Sequence, residues 1–180
     1  MTNKKCIIID IDDTLVFENY LDDLPTENNR ETWDEYHCRR KFYEPEQYTP
    51  LQEIVDMIKS YYVYKCCDPF LVFLTSREDT CNGKIRTNTL KLIYKLFGDI
   101  LSIRNLGFGK NSHALLMRKE NDYRPSAIVK EDLLNEYVLH DYQPILAVDD
   151  DTSNIKMFTS KGAIGLQVHN YMRKTGEDNG

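Results

Sequence analysis

Asp10 and Asp12 stand two positions apart at the end of the apolar run Cys6-Ile7-Ile8-Ile9. In extended backbone, alternate side chains share a face, so the two carboxylates leave on the same side and enter one small volume. Two like charges held that close call for a hard cation between them. Mg²⁺ is the natural choice, because it takes one or two carboxylates and completes its shell with water and substrate phosphate. Three further polar clusters end or precede apolar runs: Thr75-Ser76-Arg77, Lys130, and Asp149-Asp150-Asp151. Singly, each has an ordinary reading as a capping turn, a solvated helix residue or an acidic helix start. Jointly, they supply the parts of phosphoryl transfer. Asp10 is the carboxylate nucleophile that would form an aspartyl-phosphate, and Asp12 protonates the leaving alcohol and then deprotonates water. Thr75 or Ser76 donates a hydrogen bond to the phosphate, and Lys130 offsets its charge. Asp149 and Asp150, beside Asp10, complete the Mg²⁺ site.

The elements that must position these groups follow from periodicity. Cys6 to Ile9, Phe70 to Leu74, Leu115 to Met117 and Ile145 to Val148 read as buried strands, with a last strand over Ala163 to Val168. Between them, Leu51, Ile54, Val55, Ile58 and Tyr62 share one face of a helix opened by Pro50, and Leu92, Ile93, Leu96 and Phe97 share another before Gly98. Further helices are expected over Ala127 to His140 and Asp151 to Lys161. Strand and helix in alternation predict an α/β fold, a mostly parallel sheet with helices on both faces, whose ligands bind beyond the carboxyl ends of the strands.

Residues 17–48 break the rhythm. The segment is polar, acidic and aperiodic, and reads as a cap inserted after the first strand. Its Trp33, Tyr36, His37, Phe42 and Tyr43 would either stack on a nucleobase or pack the insert onto the domain. Residues 172–180 read as a frayed tail. At 180 residues the chain suits one domain, 1–171, rather than two.

Composition narrows the setting. Five cysteines, with no Cys-x-x-Cys pair, fit reduced cytosol rather than a disulfide framework or zinc site. No apolar run is long enough for a bilayer span, and the start has no secretory signal, so a cytoplasmic protein without membrane partners is expected. A net charge of -6 argues against extended gripping of duplex nucleic acid but not against holding one terminal phosphate. The usage of Asn, Lys, Ile and Tyr is compatible with an AT-rich genome, such as that of a virus or phage.

Asp10-Ile11-Asp12-Asp13-Thr14 with Thr75-Ser76-Arg77, Lys130 and Asp149-Asp150 resembles the haloacid dehalogenase superfamily of phosphotransferases over almost the whole chain. Leu115-Leu116-Met117-Arg118, Asp122-Tyr123-Arg124-Pro125, Val129-Lys130 and Leu146 to Asp150 resemble, more narrowly, the 3′-phosphatase domain of phage polynucleotide kinase. Trp33-Asp34-Glu35-Tyr36-His37 is similar to a Trp-Asp element of that group. The resemblance implies a three-layer, Rossmann-like fold. It also implies removal of a 3′-terminal phosphate, or a 2′,3′-cyclic phosphate, from nucleic-acid ends or nucleotides. It places the metal on Asp10, the Asp12 carbonyl, Asp149 and Asp150. It brings Arg77, Arg118 and Arg124 into the substrate-binding set beside Lys130, with Arg30 matching an arginine early in the cap. Ser126 departs from the pattern, standing where relatives carry an acidic residue. No Gly-x-x-x-x-Gly-Lys-Ser/Thr loop is present, Gly107 to Ser112 resembling one only superficially, so kinase or ligase activity is expected from another polypeptide. Self-association is left open. The alternatives are a nucleotidase or other small-molecule phosphatase on the same machinery, and a non-catalytic module binding phosphate ends or a protein.

Overall fold

The computed structural model describes residues 4–18, 43–64, 69–101 and 113–169. Much of the expected cap, including Arg30 and Trp33, lies outside the described residues, as do Gly107 to Ser112 and the 172–180 tail.

The apolar runs become a five-stranded parallel sheet of β1 (Lys4–Ile9), β4 (Phe70–Asp79), β5 (His113–Lys119), β6 (Tyr142–Asp149) and β7 (Ile164–Gln167), in the order β5-β4-β1-β6-β7. Because β1 is central, its side chains are buried on both faces. Ile7 and Ile9 point into one core with Leu71, Phe73 and Val148, and Cys6 and Ile8 into the other with Val72, Leu74 and Ala147. Burial pushes the Cys6 thiol up to about 12, in keeping with an inert core residue. The first core is closed by α1 (Gln52–Tyr64) and α2 (Lys84–Phe97), through Val55, Ile58, Leu92, Ile93 and Phe97. The second is closed by α3 (Ser126–Tyr137) and α4 (Thr152–Ser160), through Val129, Leu133, Leu134, Met157 and Phe158. This is the three-layer α/β architecture the alternating pattern predicts. Among the described residues, no helix is long and apolar enough to cross a membrane.

Register sets the level of the strand tips. Ile9 pairs with Phe73 on one side and Val148 on the other, so Asp10 follows beside Asp149 and the Thr75 backbone stands a short step beyond. The chain leaves β1 toward β4 and β5 and then returns past β1 to β6. The crevice at the carboxyl ends of these strands is therefore the switch point where open α/β sheets bind ligands.

Two elements differ from expectation. β4 does not stop at Leu74 but runs to Asp79, with a shift of register between Thr75 and Glu78 opposite Met117 and Arg118. Ser76 and Arg77 occupy this bulge, a device that re-aims side chains beside active sites. α2 starts at Lys84, well before Leu92, since its buried face includes Asn88 and Thr89 as well as Ile85, and these polar residues hide the period.

The insert leaves the domain through β2 (Val16–Glu18) and returns through β3 (Tyr48–Pro50), paired antiparallel with Val16 opposite Pro50 and Phe17 opposite Thr49. A short 3₁₀ turn, Pro45–Gln47, precedes β3 and is fixed at both ends by the Gln47 side chain and the Glu44 carboxylate bonding each other's backbone.

Candidate active site

β1 ends at Ile9, but Asp10 keeps one ladder contact, its N–H donating to the Val148 carbonyl at 2.9 Å. The chain then curls instead of running straight. Leu15 and Val16 both donate to the Ile11 carbonyl, and Asp13 takes a left-handed conformation (φ 58°). This turn carries Asp12 past the strand end and folds Thr14 back, so that the Thr14 hydroxyl donates to Asp10 Oδ2 at 3.1 Å and toward Asp150 Oδ1 at 3.4 Å.

Lys130, on the second turn of α3, lies almost wholly buried beneath the strand tips. Its Nζ donates to Asp10 Oδ1 at 2.6 Å and to Asp149 Oδ2 at 2.8 Å. Burial opposes the ammonium charge, but the two carboxylates outweigh it and raise the lysine above its usual range. Asp149 is further held by its neighbours: Oδ1 accepts from the Asp151 N–H at 2.9 Å, and the Asn154 amide donates to both oxygens at 3.0 and 3.1 Å. Asp151 caps α4 by accepting from Ser153, which fixes the turn that presents Asp149 and Asp150.

Asp10, Asp149 and Asp150 each offer a carboxylate oxygen, and these oxygens lie within 4.8 Å of one another. One lysine faces three acids there, leaving two negative charges uncompensated in a largely buried volume. The strain of that imbalance falls on two residues. Asp10 is raised to about 7 by burial first and by Asp149 and Asp12 next, against the pull of Lys130. Asp150 is raised to about 6 by burial, Asp149 and Asp13. An all-oxygen donor set with a surplus of two negative charges fits a hard divalent cation.

Asp12 faces a different partner. Arg77, fully buried, clamps it with Nε and Nη2, at 2.9 Å to Oδ2 and 2.7 Å to Oδ1, while Nη1 donates to Thr89 on α2 at 3.0 Å. The Thr75 hydroxyl donates to Asp12 Oδ2 at 3.3 Å and accepts from the Arg77 N–H. Burial works against the guanidinium charge, yet Asp12 overrides it and raises Arg77 further. Tyr43 and Tyr48 flank the same guanidinium, whose carbon is 4.7 Å from each ring centroid.

The sheet thus gathers Asp10, Asp12, Thr75, Arg77, Lys130, Asp149 and Asp150 from β1, β4, α3 and β6. Arg77 is buried and donates to Asp12 and Thr89, so it meets the cluster through Asp12. Ser76 shares a 2.7 Å hydrogen bond with Ser126, which also accepts from Asn154, so Ser126 links β4, α3 and the Asp149 anchor where an acidic residue was expected. Arg118 and Arg124 stand apart. Arg118 donates to the backbone carbonyls of Ser76, Asp122 and Arg124, and Arg124 pairs with Asp122 and Asp132, so both build the loop from β5 to α3. Sequence reading gave no role to Thr14, Thr89 or Asn154. A usable signal existed for Thr89, a polar residue on the apolar stripe of α2. Tyr43, one of the insert aromatics, is buried against the domain.

The family model for the HAD-type "Polynucleotide kinase PNKP phosphatase domain" matches residues 4–171. No curated protein matches the chain. Among solved structures, a chain of the "Pnkp1/Rnl/Hen1 RNA repair complex" is similar with a TM-score of 0.61 at 20% identity, over 92% of this chain and 42% of that one. A chain of a "Pnkp1/Rnl/Hen1 complex" is similar with a TM-score of 0.63 at 21% identity, over 93% of this chain and 46% of that one. These likenesses are of fold, and this chain spans less than half the length of either relative.

Proposed function

The chain belongs to the PNKP phosphatase-domain family of the haloacid dehalogenase superfamily, and on that premise we propose that it is a Mg²⁺-dependent phosphatase that removes 3′-terminal phosphate from nucleic-acid ends. The observation that carries the reading is the pairing of buried Asp10 with Lys130 and Thr14 inside the three-carboxylate cluster. A carboxylate so placed is oriented from two sides, and the ammonium works against the rise that burial imposes on it, in favour of the charged form a nucleophile needs.

In this account Asp10 attacks the phosphorus, and the bond to the 3′ oxygen breaks as Asp12 delivers a proton to it. Water then gives its proton to Asp12, attacks the aspartyl-phosphate and releases phosphate. Lys130 balances charge on Asp10 throughout, and Thr75 or Ser76 donates to a phosphoryl oxygen. Asp10, Asp149, Asp150 and the Asp12 carbonyl would hold Mg²⁺, which when bound neutralises charge on the phosphoryl oxygens. Arg118 and Arg124 carry positive charge along the rim, and Arg30 is assigned to the substrate from the cap. We take residues 1–171 as one domain with its insert at 17–48, and 172–180 as a tail. The family and the RNA-repair assembly containing the fold relatives support a polynucleotide end over a free metabolite. Ligase or kinase steps are assigned to other polypeptides.

The test is phosphate release, with Mg²⁺, from a 3′-phosphorylated oligonucleotide, its 5′-phosphorylated isomer, and nucleoside 3′- and 5′-monophosphates. The 3′-phosphorylated oligonucleotide is expected to turn over fastest, and a chelator to stop the reaction. Preference for 5′-monophosphates would move the assignment to a nucleotidase, and no release from any substrate would reject a phosphatase.

A further inference from the structure

Tyr43 is a bulky residue in left-handed backbone (φ 60°), a conformation that costs energy and persists only where the surroundings impose it. Its ring is buried, as is that of Tyr48. Between the two lies the 3₁₀ turn Pro45–Gln47 with its reciprocal cap, which sets their spacing. The rings are nearly parallel (8°), with centroids 6.5 Å apart, and both face the Arg77 guanidinium at 4.7 Å. That guanidinium fixes both oxygens of Asp12.

We propose that Tyr43 and Tyr48 are positioning residues, which hold the Arg77 fork and through it the Asp12 carboxylate, so that the returning arm of the insert sets the proton-transfer geometry. The inference rests on the reaction proposed above. The Asp12 side chain is partly exposed, and Arg77 bonds both of its oxygens at 2.7 and 2.9 Å, closer than the 3.3 Å contact from Thr75. Its orientation therefore depends on how Arg77 is held. Arg77 in turn sits in a bulge of β4, where the ladder gives it no support. Thr89 holds one nitrogen of the fork, and the two rings lie against the guanidinium, so three contacts restrict its tilt. Removing a ring lets the fork tilt and carries Asp12 with it, and a shift of about 1 Å in a reacting group costs on the order of 100-fold in rate.

The chemistry offers a readout that lost stability would not mimic. p-Nitrophenyl phosphate has a leaving group that departs without a proton. When it reacts, the Asp10 oxygen bonds to phosphorus and nitrophenolate leaves unaided, but hydrolysis of the aspartyl-phosphate still needs Asp12 to take the proton of water. A variant with misplaced Asp12 therefore releases one equivalent of nitrophenolate quickly and then stalls. Tyr43→Leu, Tyr48→Leu and Arg77→Lys are each expected to show this burst, followed by a steady rate about 100-fold below wild type. Tyr43→Phe and Tyr48→Phe keep the ring face and should have steady rates well above those of the leucine variants. Asp12→Asn gives the reference burst.

The burst amplitude counts folded enzyme, so partial unfolding lowers the amplitude without removing the stall. Leucine variants with a wild-type steady rate, or with burst and steady rate reduced in equal proportion, would overturn the positioning role. So would a wild-type profile for Arg77→Lys. If wild type and Asp12→Asn were both inert toward every phosphate monoester, the site reading itself would fall; a burst in Asp12→Asn alone would sink only the inference.

Discussion

Lys130 offsets part of the buried negative charge, since it bonds Asp10 at 2.6 Å and Asp149 at 2.8 Å with almost no access to water. Breaking a buried pair by removing one partner leaves an uncompensated charge, at about 3–5 kcal/mol. Lys130→Met should therefore lower stability by roughly that amount in chelator, read by urea unfolding, and abolish phosphate release. An unchanged unfolding midpoint would show that the ion pairs do not form. Asn154→Ala should leave the fold intact but loosen Asp149, raising the Mg²⁺ concentration for half-maximal activity by about 10–100-fold, measured by metal titration. At this scale the acids were legible from their type and strand-end positions, and Lys130 from its charge just inside the helix that precedes β6. Thr14 and Asn154 were not, because their significance lies in which oxygens they meet. The Thr14 contact with Asp150 spans most of the sequence. Arg118 and Arg124 carry a loop-closing role that the pattern did not show, beside the phosphate-side role expected of them.

Each strand and helix was legible in its apolar core, and the boundaries slipped where function intervenes. β4 runs on through the bulge because β5 continues beside it, pairing Glu78 with Arg118 and Asp79 with Lys119. The polar side chains that seemed to end the strand are the ones the bulge turns into the site. α2 opens early for a similar reason, with Thr89 on its buried face receiving Arg77. Where β5 begins, His113 is fully buried between Phe73 and Tyr94, each meeting it edge-on, and among the described residues neither ring nitrogen has a hydrogen-bond partner. Burial lowers its pKa, so the fold favours neutral imidazole. Below about 6.5 the unfolded chain binds a proton that the folded one resists. The stability His113 contributes is thus present above that pH and lost as pH falls. His113→Phe should remove this loss, seen as a gain in the unfolding midpoint over wild type that is larger at pH 5 than at pH 7.5. Gly165 of β7 faces α4 with no room for a side chain, since an added Cβ would meet Ile155 Cγ2 at 2.8 Å. Gly165→Val is expected to lower the melting temperature by pushing α4 from the sheet.

Across the whole molecule, the order of the sheet does the gathering. A central β1 flanked by β4 and β6 brings three strand tips together, and α3 passes Lys130 beneath them from one face. Alternation of strand and helix predicted this layering, and the motifs at the tips carried the resemblance to the family now matched over residues 4–171. What pattern could not convey is that the insert returns onto the catalytic machinery through Tyr43 and Tyr48, because an aperiodic segment has no face to read. The account stands on Asp10 as the atom that takes the phosphoryl group. Its most direct measurement is transfer of radiolabelled phosphate from the 3′ end of an oligonucleotide to the protein, quenched in acid and located by hydroxylamine sensitivity. Label is expected on wild type, little on Asp12→Asn, which lacks the proton for the departing 3′ oxygen, and none on Asp10→Asn. Steady phosphate release by Asp10→Asn, or labelling of a residue other than Asp10, would contradict it.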